Sequence, residues 1–561
     1  MTDREYNLVD EPWIRVLARD GHVEKMGLKE TMLKAHEYLD IGGEMRLQDV
    51  AVLRLLTAIS ITLLYRYDEN GSRADLESAH EAKDRFKNVW EAGRFSEKAI
   101  EEYFAKWHDR FYLFGGDHPF YQVAERQVEW REEKDGVLKP YLSNGAYMNW
   151  LPMETVNGLV QSSANKPFTP FKTLTGENAK TAAYDEAARW LLFYNAFADC
   201  SVGKNQSLKV EENGKVKKIR LDTNAMMTLP SRGAVLIPVG RNLFQTLMLS
   251  SVLYADGKRL YETYAPVWEE DEPGTDKETK PMPDDLARAY TQQARRIIIR
   301  KESGRVTGFY ASAGESYTDD SLMNEPSFMI IKGKDSKTKE ERFFPKHLGP
   351  GVDIWEEISH VTGKAASRDD TTGEKTGVSL WVNDLLSGKN SIKDLLPEDA
   401  CIRFRLTDIS YGSMNCGIQS MKEDSIVINR VFLTETEAEQ DAEQEIDNIK
   451  KITGILHVFG QNCSLCMGRS EKDMNIANEL KRNYHSEIGQ RVREYLAGVI
   501  TLQNLKEEEF RIAKNTASRF VENNTAALLS GKRKTDSHGG MTLGAAERIF
   551  YGTLRKMQKG K

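Results

Sequence analysis

Cysteine is scarce in this chain: Cys200, Cys401, Cys416, Cys463 and Cys466 are the whole complement in 561 residues. Five thiols so widely spread cannot build a disulfide framework, and a reducing compartment is the expectation. Cys463 and Cys466 have the spacing of half a zinc site, but no second CxxC or close Cys/His pair accompanies them, and two packed thiols are the plainer reading. Long hydrophobic runs are also missing. The start lacks an apolar signal core, and the most apolar stretch, 50–65, is interrupted by Arg54, Thr57, Ser60 and Thr62. That run is too short to span a bilayer, and 47–65, apolar on most of its circumference, predicts a core helix in a protein of the cytoplasm with no membrane partner. Positive charge is in deficit, with 78 Lys and Arg against 85 Asp and Glu and a net charge of −7. A free nucleic-acid binder, which gains affinity by displacing phosphate counterions, has the opposite balance. Catalytic signatures are absent too: no GxxxxGK[ST] loop, no HExxH and no GxSxG elbow, which leaves nucleotide hydrolysis, zincin chemistry and α/β-hydrolase chemistry unsupported. One alternative stays open. His108-Asp109 is the kind of pair that opens a metal phosphohydrolase site, although His36, His80 and His118 show no spacing that would complete it.

What is present is the material of a large soluble protein, with 40% apolar and 29% charged residues. Its length predicts two or three domains. Asp20-Gly21 suits a two-residue hairpin turn after an extended segment set by Pro12. Helical periodicity covers 86–108 and the face formed by Ala187, Trp190, Leu191, Tyr194 and Ala198, with Asp185 placed to cap the latter. A strand is expected over 305–310. Polar insertions at 211–218, 270–280, 333–341 and 363–377 read as surface loops. Acids at every second position from Glu435 to Asp447 mark a solvated linker or a helix start. Beyond them the pattern is wholly helical over 446–459, 474–499, 505–529 and 543–557, which predicts an antiparallel four-helix bundle. Charge is uneven: from residue 511 to the end, eleven Lys and Arg face three acids.

Several segments carry a resemblance. Asn7-Leu8-Val9-Asp10-Glu11-Pro12-Trp13-Ile14-Arg15-Val16 comes first, followed by Arg110-Phe111-Tyr112-Leu113-Phe114-Gly115-Gly116-Asp117-His118-Pro119-Phe120-Tyr121-Gln122. Then come Arg241-Asn242-Leu243-Phe244-Gln245-Thr246-Leu247, Ala265-Pro266-Val267-Trp268-Glu269 and Gln292-Gln293-Ala294-Arg295-Arg296-Ile297. In this order they resemble the CasA family, the large subunit of the type I-E CRISPR Cascade complex. The resemblance implies an α+β protein: a large mixed α/β domain over 1–430 that senses a short duplex motif, the PAM, and a carboxy-terminal four-helix bundle over 431–561. It implies a non-catalytic subunit in antiviral defence, with no cofactor and no metal. Such a subunit recognises the PAM in double-stranded DNA, promotes unwinding and R-loop formation, and helps to recruit the helicase-nuclease. The implied partners are the other Cascade subunits, the 5′ end of the guide RNA, PAM-bearing duplex DNA and that effector. A purely architectural subunit is the other reading.

The resemblance also assigns residues. Family members approach the duplex with a glycine loop, here matched in part by Gly203 and Lys204 after the helix that ends near Asp199. A wedge props the strands apart, and Ser413, Met414, Asn415 and Cys416 occupy its place, with Gln419 as the competing register for the glutamine of the family. Glycine permits close backbone approach, and a wedge offsets the cost of unstacking. The lysine finger of the family has no counterpart in 310–317, where the nearest cations are Arg305 and Lys332. A loop that orders against RNA and neighbouring subunits is matched by Asn165, Lys166, Phe168, Phe171 and Lys172, which combine stacking rings with cations for phosphates. Lys532, Arg533 and Lys534 are candidates for contact with the displaced strand.

Overall fold

The computed structural model describes residues 4–132, 137–157, 180–200, 206–212, 215–221, 227–253, 260–261, 264–270, 274–334, 339–349, 351–362, 386, 393–397, 399–412, 417–470, 472–530 and 541–560. The chain forms two compact units. The first comprises 1–350, 363–396 and 404–425, and the second 351–362, 397–403 and 426–561. The second unit therefore extends past the expected 431–561 by two earlier segments.

The first unit opens with the expected hairpin, β1 (Ile14–Leu17) paired antiparallel with β2 (Val23–Met26). Its centre is α1 (Arg46–Arg66), in which every residue from Leu47 onward is buried. This helix exceeds the expected 47–65 by one residue at each end, and it is long and apolar enough to cross a membrane, yet it lies wholly inside its unit. Two of its hydroxyls are satisfied by the helix's own carbonyls: Ser60 Oγ donates to Leu56 O at 2.9 Å and Thr62 Oγ1 to Ala58 O at 2.8 Å. The helix expected over 86–108 is two helices, α2 (Ala79–Ala92) and α3 (Glu97–Trp107). Gly93 between them adopts φ +71°, a left-handed conformation that ends α2 and that side chains other than glycine avoid.

A short strand, β3 (Asn149–Pro152), precedes α4 (Tyr184–Phe197). Ala183 takes the capping position of α4, so the expected Asp185 cap is not made. Asp185 instead holds Arg189 at 3.0 Å and Lys25 at 2.6 Å. The insertion read as a surface loop at 211–218 is a hairpin: β4 (Gln206–Glu212) pairs with β5 (Lys215–Leu221), Glu212 facing Lys215. After β6 (Val235–Val239), the strands β7 (Arg295–Glu302) and β8 (Arg305–Ala313) form a three-stranded antiparallel sheet with β3, in the order β7-β8-β3. A second sheet has the order β6-β9-β10, with β9 (Cys401–Tyr411) and β10 (Ile418–Asn429).

The second unit holds α5 (Thr436–Cys466), α6 (Asn475–Leu496), α7 (Leu502–Ser530) and α8 (Leu543–Lys559). Helix α5 packs on the other three, α6 packs on α7, and α7 on α8. Ile449, Ile452, Leu456, Leu480, Ile488, Val492, Leu505 and Leu554 are fully buried among them. Each such side chain contributes about 1.5–3 kcal/mol by leaving water. The acidic stretch is a helix start: it forms the first turns of α5, where the positive end of the helix dipole favours carboxylates.

Candidate nucleic-acid interface

The end of α4 is the anchor of the site. Arg295, on β7 and 1% exposed, donates to Ala198 O at 3.2 Å and to Asp199 O at 2.9 Å, and so caps carbonyls that the helix leaves unpaired. Asn195 Oδ1 accepts the backbone N–H of Arg295 at 3.1 Å, fixing the helix to the strand. The chain then leaves through Cys200, forms the β4–β5 hairpin and returns at Thr228, whose Oγ1 donates to Ala196 O. The departure and the return of this long excursion lie against the same turn of helix.

The β9–β10 hairpin is tied to the same point. Gly412 N donates to Gly417 O at 2.9 Å and closes the turn that holds 413–416. Gly417 has φ +71°, which a residue with a side chain adopts only under strain. Its N–H donates to Asp199 Oδ2 at 2.5 Å. Tyr411 Oη donates to Phe197 O at 2.7 Å, and burial pushes this phenol well above its ordinary pKa, so that it stays a donor. Two excursions distant in sequence, 201–227 and 413–416, therefore both end on the last turn of α4 and the residues just after it, 196–199.

Most of the residues assigned by resemblance fall outside the described residues: Gly203 and Lys204, Ser413, Met414, Asn415 and Cys416, Asn165, Lys166, Phe168, Phe171 and Lys172, and Lys532, Arg533 and Lys534. Gln419 is described, and it stands exposed on β10, past the turn. The place of the missing lysine is buried from Ala311 to Tyr317. Of the nearest cations, Arg305 donates to Thr181 Oγ1 at 2.7 Å, and Lys332 Nζ lies 3.7 Å from the Glu341 carboxylate.

The sequence profile for CRISPR-associated protein Cse1 matches residues 7–523. The chain belongs to the Cse1 family. A CasA/Cse1 protein of Thermus thermophilus is 30% identical over 269 residues, which span 47% of this chain and 42% of that relative. The fold is that of solved Cse1 structures. The Thermobifida fusca protein superposes with a TM-score of 0.78 at 20% identity, covering 99% of this chain and 98% of that one. The Acidimicrobium ferrooxidans protein gives 0.73 at 21% identity, covering 100% and 99%. A chain from a solved CRISPR RNA-guided surveillance complex gives 0.62 at 14% identity, over 95% and 99% of the two chains.

The segments that carry the family likeness build the core. Trp13 is fully buried, its Nε1 donates to Leu8 O at 2.8 Å, and its carbonyl accepts from Arg189 at 2.6 Å. Phe111 stacks on Phe120 with centroids 5.2 Å apart and meets Trp268 at the same distance. Glu269 receives both Nη atoms of Arg66, at 2.9 and 2.8 Å, and the Tyr103 hydroxyl at 2.9 Å. Gln122 bridges Leu113 O at 2.8 Å and Ile299 N at 2.9 Å. His108 and Asp109 also have structural partners. His108 Nε2 lies 2.7 Å from Asp10 Oδ2, and Asp109 pairs with Arg4 at 2.9 Å. Cys463 and Cys466 are buried thiols, and burial pushes that of Cys463 up to about 12.

Proposed function

We propose that this chain is the large, non-catalytic subunit of a type I-E Cascade, which inspects the PAM in duplex DNA and opens the strands beside it. The observation that carries the reading is the common root of the 201–227 and 413–416 excursions on 196–199. A PAM is a few base pairs long, so a loop and a wedge that read it together need one rigid base. Asn415 falls between the paired glycines Gly412 and Gly417, whereas Gln419 belongs to the strand, which favours Asn415 as the wedge residue. With 311–317 buried and Arg305 held by Thr181, Lys204 is the proposed cation beside the duplex. The β4–β5 hairpin adds Lys209, Lys215, Lys217, Lys218 and Arg220 against Glu211 and Glu212, an excess suited to phosphates. His108 and Asp109, held by Asp10 and Arg4, take no part in chemistry in this reading. The bundle and the 165–172 segment would meet guide RNA, neighbouring subunits and the helicase-nuclease.

Asp199→Ala tests the root directly. It removes a charged acceptor from Gly417 N–H, a bond of about 1.5–3 kcal/mol. In the reconstituted complex, binding to PAM-bearing duplex should weaken about tenfold or more, while binding to a PAM-free duplex stays unchanged. Equal weakening of both duplexes would show that the root serves folding or assembly alone.

A further inference from the structure

His485, on α6, has a side chain only 9% exposed. Its Nε2 lies 3.0 Å from Thr453 Oγ1, and that hydroxyl donates its single proton to Ile449 O at 3.0 Å. Thr453 can therefore only accept from the ring, so Nε2 carries hydrogen and the lone pair of a neutral imidazole sits on Nδ1. Nδ1 faces Glu356 Oε1 at 3.6 Å, longer than a hydrogen bond. Asp353 completes the group: one ligand atom from each of Asp353, Glu356 and His485 lies within 4.8 Å of the other two. Among the described residues it is the only such group of three. In a neutral ring that lone pair would face the Glu356 carboxylate with Asp353 close by, a repulsive arrangement unless a positive charge stands between them.

The two acids have a local duty that leaves them free for a second. Asp353 accepts from the Glu356 backbone, and Glu356 Oε1 accepts from Asp353 N at 2.9 Å, a capping box at the start of the short helix Ile354–Glu357. An ionised carboxylate offers about four acceptor directions, so each can also ligate an ion. We propose that Asp353, Glu356 and His485 bind one divalent transition metal of the zinc or manganese class. One imidazole nitrogen and two carboxylates suit such an ion better than magnesium or calcium, which prefer oxygen alone. Thr453 orients the ring as a supporting acceptor, the arrangement typical of metal-bound histidine. The ion fastens 351–362 to α6, next to the point where the buried Trp355 indole lies against Gly489 and 5.5 Å from the His485 ring. The site is independent of the PAM reading and stands or falls without it.

The test is a titration of chelator-stripped full-length protein with Zn2+ and with Mn2+ by calorimetry, alongside thermal melts. Wild type should take up one equivalent of at least one of the two ions and melt at a higher temperature with it. His485→Ala should lose at least a hundredfold in affinity, and Thr453→Val should lose about tenfold to a hundredfold. The combined Asp353→Asn and Glu356→Gln variant keeps both capping hydrogen bonds and folds, and it should bind at least tenfold more weakly. Cys463→Ser with Cys466→Ser should bind like wild type. Absence of stoichiometric uptake by wild type would overturn the proposal and leave a proton between His485 and Glu356. Undiminished binding by the Asn/Gln variant, or loss of binding in the serine variant, would also overturn it by placing the metal elsewhere.

Discussion

Glu325→Ala should destabilise the first unit by about 3–5 kcal/mol, because it strands a charge in the core. Arg54 interrupts the apolar run of α1, and its Nη2 meets Glu325 Oε2 at 2.9 Å, the two side chains being 6% and 0% exposed. Glu325 also accepts from Tyr290 Oη at 3.2 Å and from Ser327 Oγ at 2.6 Å. The Arg54 guanidinium lies 4.0 Å from the centre of the Tyr290 ring. Although burial opposes its charge, the Glu325 carboxylate prevails and raises its pKa. Removing the acid leaves Arg54 charged with only the ring for company. Replacing both partners at once, Arg54→Met with Glu325→Leu, removes the stranded charge and should cost far less than Glu325→Ala. Chemical denaturation of the full chain measures both. A loss below about 1 kcal/mol in Glu325→Ala, the range of an exposed pair, would show that the pair carries little of the core.

Neutralising Lys532, Arg533 and Lys534 together should flatten the salt dependence of target binding. Three phosphate contacts to a single strand add about 2 to the slope of log K against log salt. Between 50 and 200 mM salt that slope amounts to roughly a twentyfold change, so the variant should lose most affinity at the low end. PAM choice should hardly move, since phosphate contacts position a duplex and base contacts specify it. Binding of the assembled complex across a salt series checks this, and an unchanged slope would remove the three residues from the interface.

Periodicity in sequence located the helices well because amphipathic faces are local. The runs at 446–459, 474–499, 505–529 and 543–557 each lie within or close to one helix of the second unit. It failed where a short break decides. Gly93, with its left-handed backbone, ends α2, and the extended Ser96 precedes α3, so a break of four residues divides one helical period in two. Asn213-Gly214 is a legible hairpin signal, flanked by the alternating Leu208 and Val210 on one side and Ile219 and Leu221 on the other, but the surrounding Lys and Glu give the segment the composition of a loop. The signature segments pointed to the right family for an architectural reason. Trp13, Phe111, Phe120 and Trp268 fill the core, so they specify the scaffold and not a binding surface. Long-range pairs left no local trace: Arg54 and Glu325 are 271 positions apart, and Glu356 is far from His485. Only the Asp353-x-x-Glu356 spacing of the capping box was open to reading. The same holds for the root of the proposed interface, where Asp199 meets Gly417 across 218 positions.

The most direct measurement of the central claim is binding of a reconstituted Cascade, with guide RNA, to a library of duplexes that share a target and differ in PAM. With this chain present, the complex should retain a narrow set of PAMs, and without it that selection should disappear while guide pairing to single strands persists. An equally narrow set recovered by the complex lacking the chain would contradict the account.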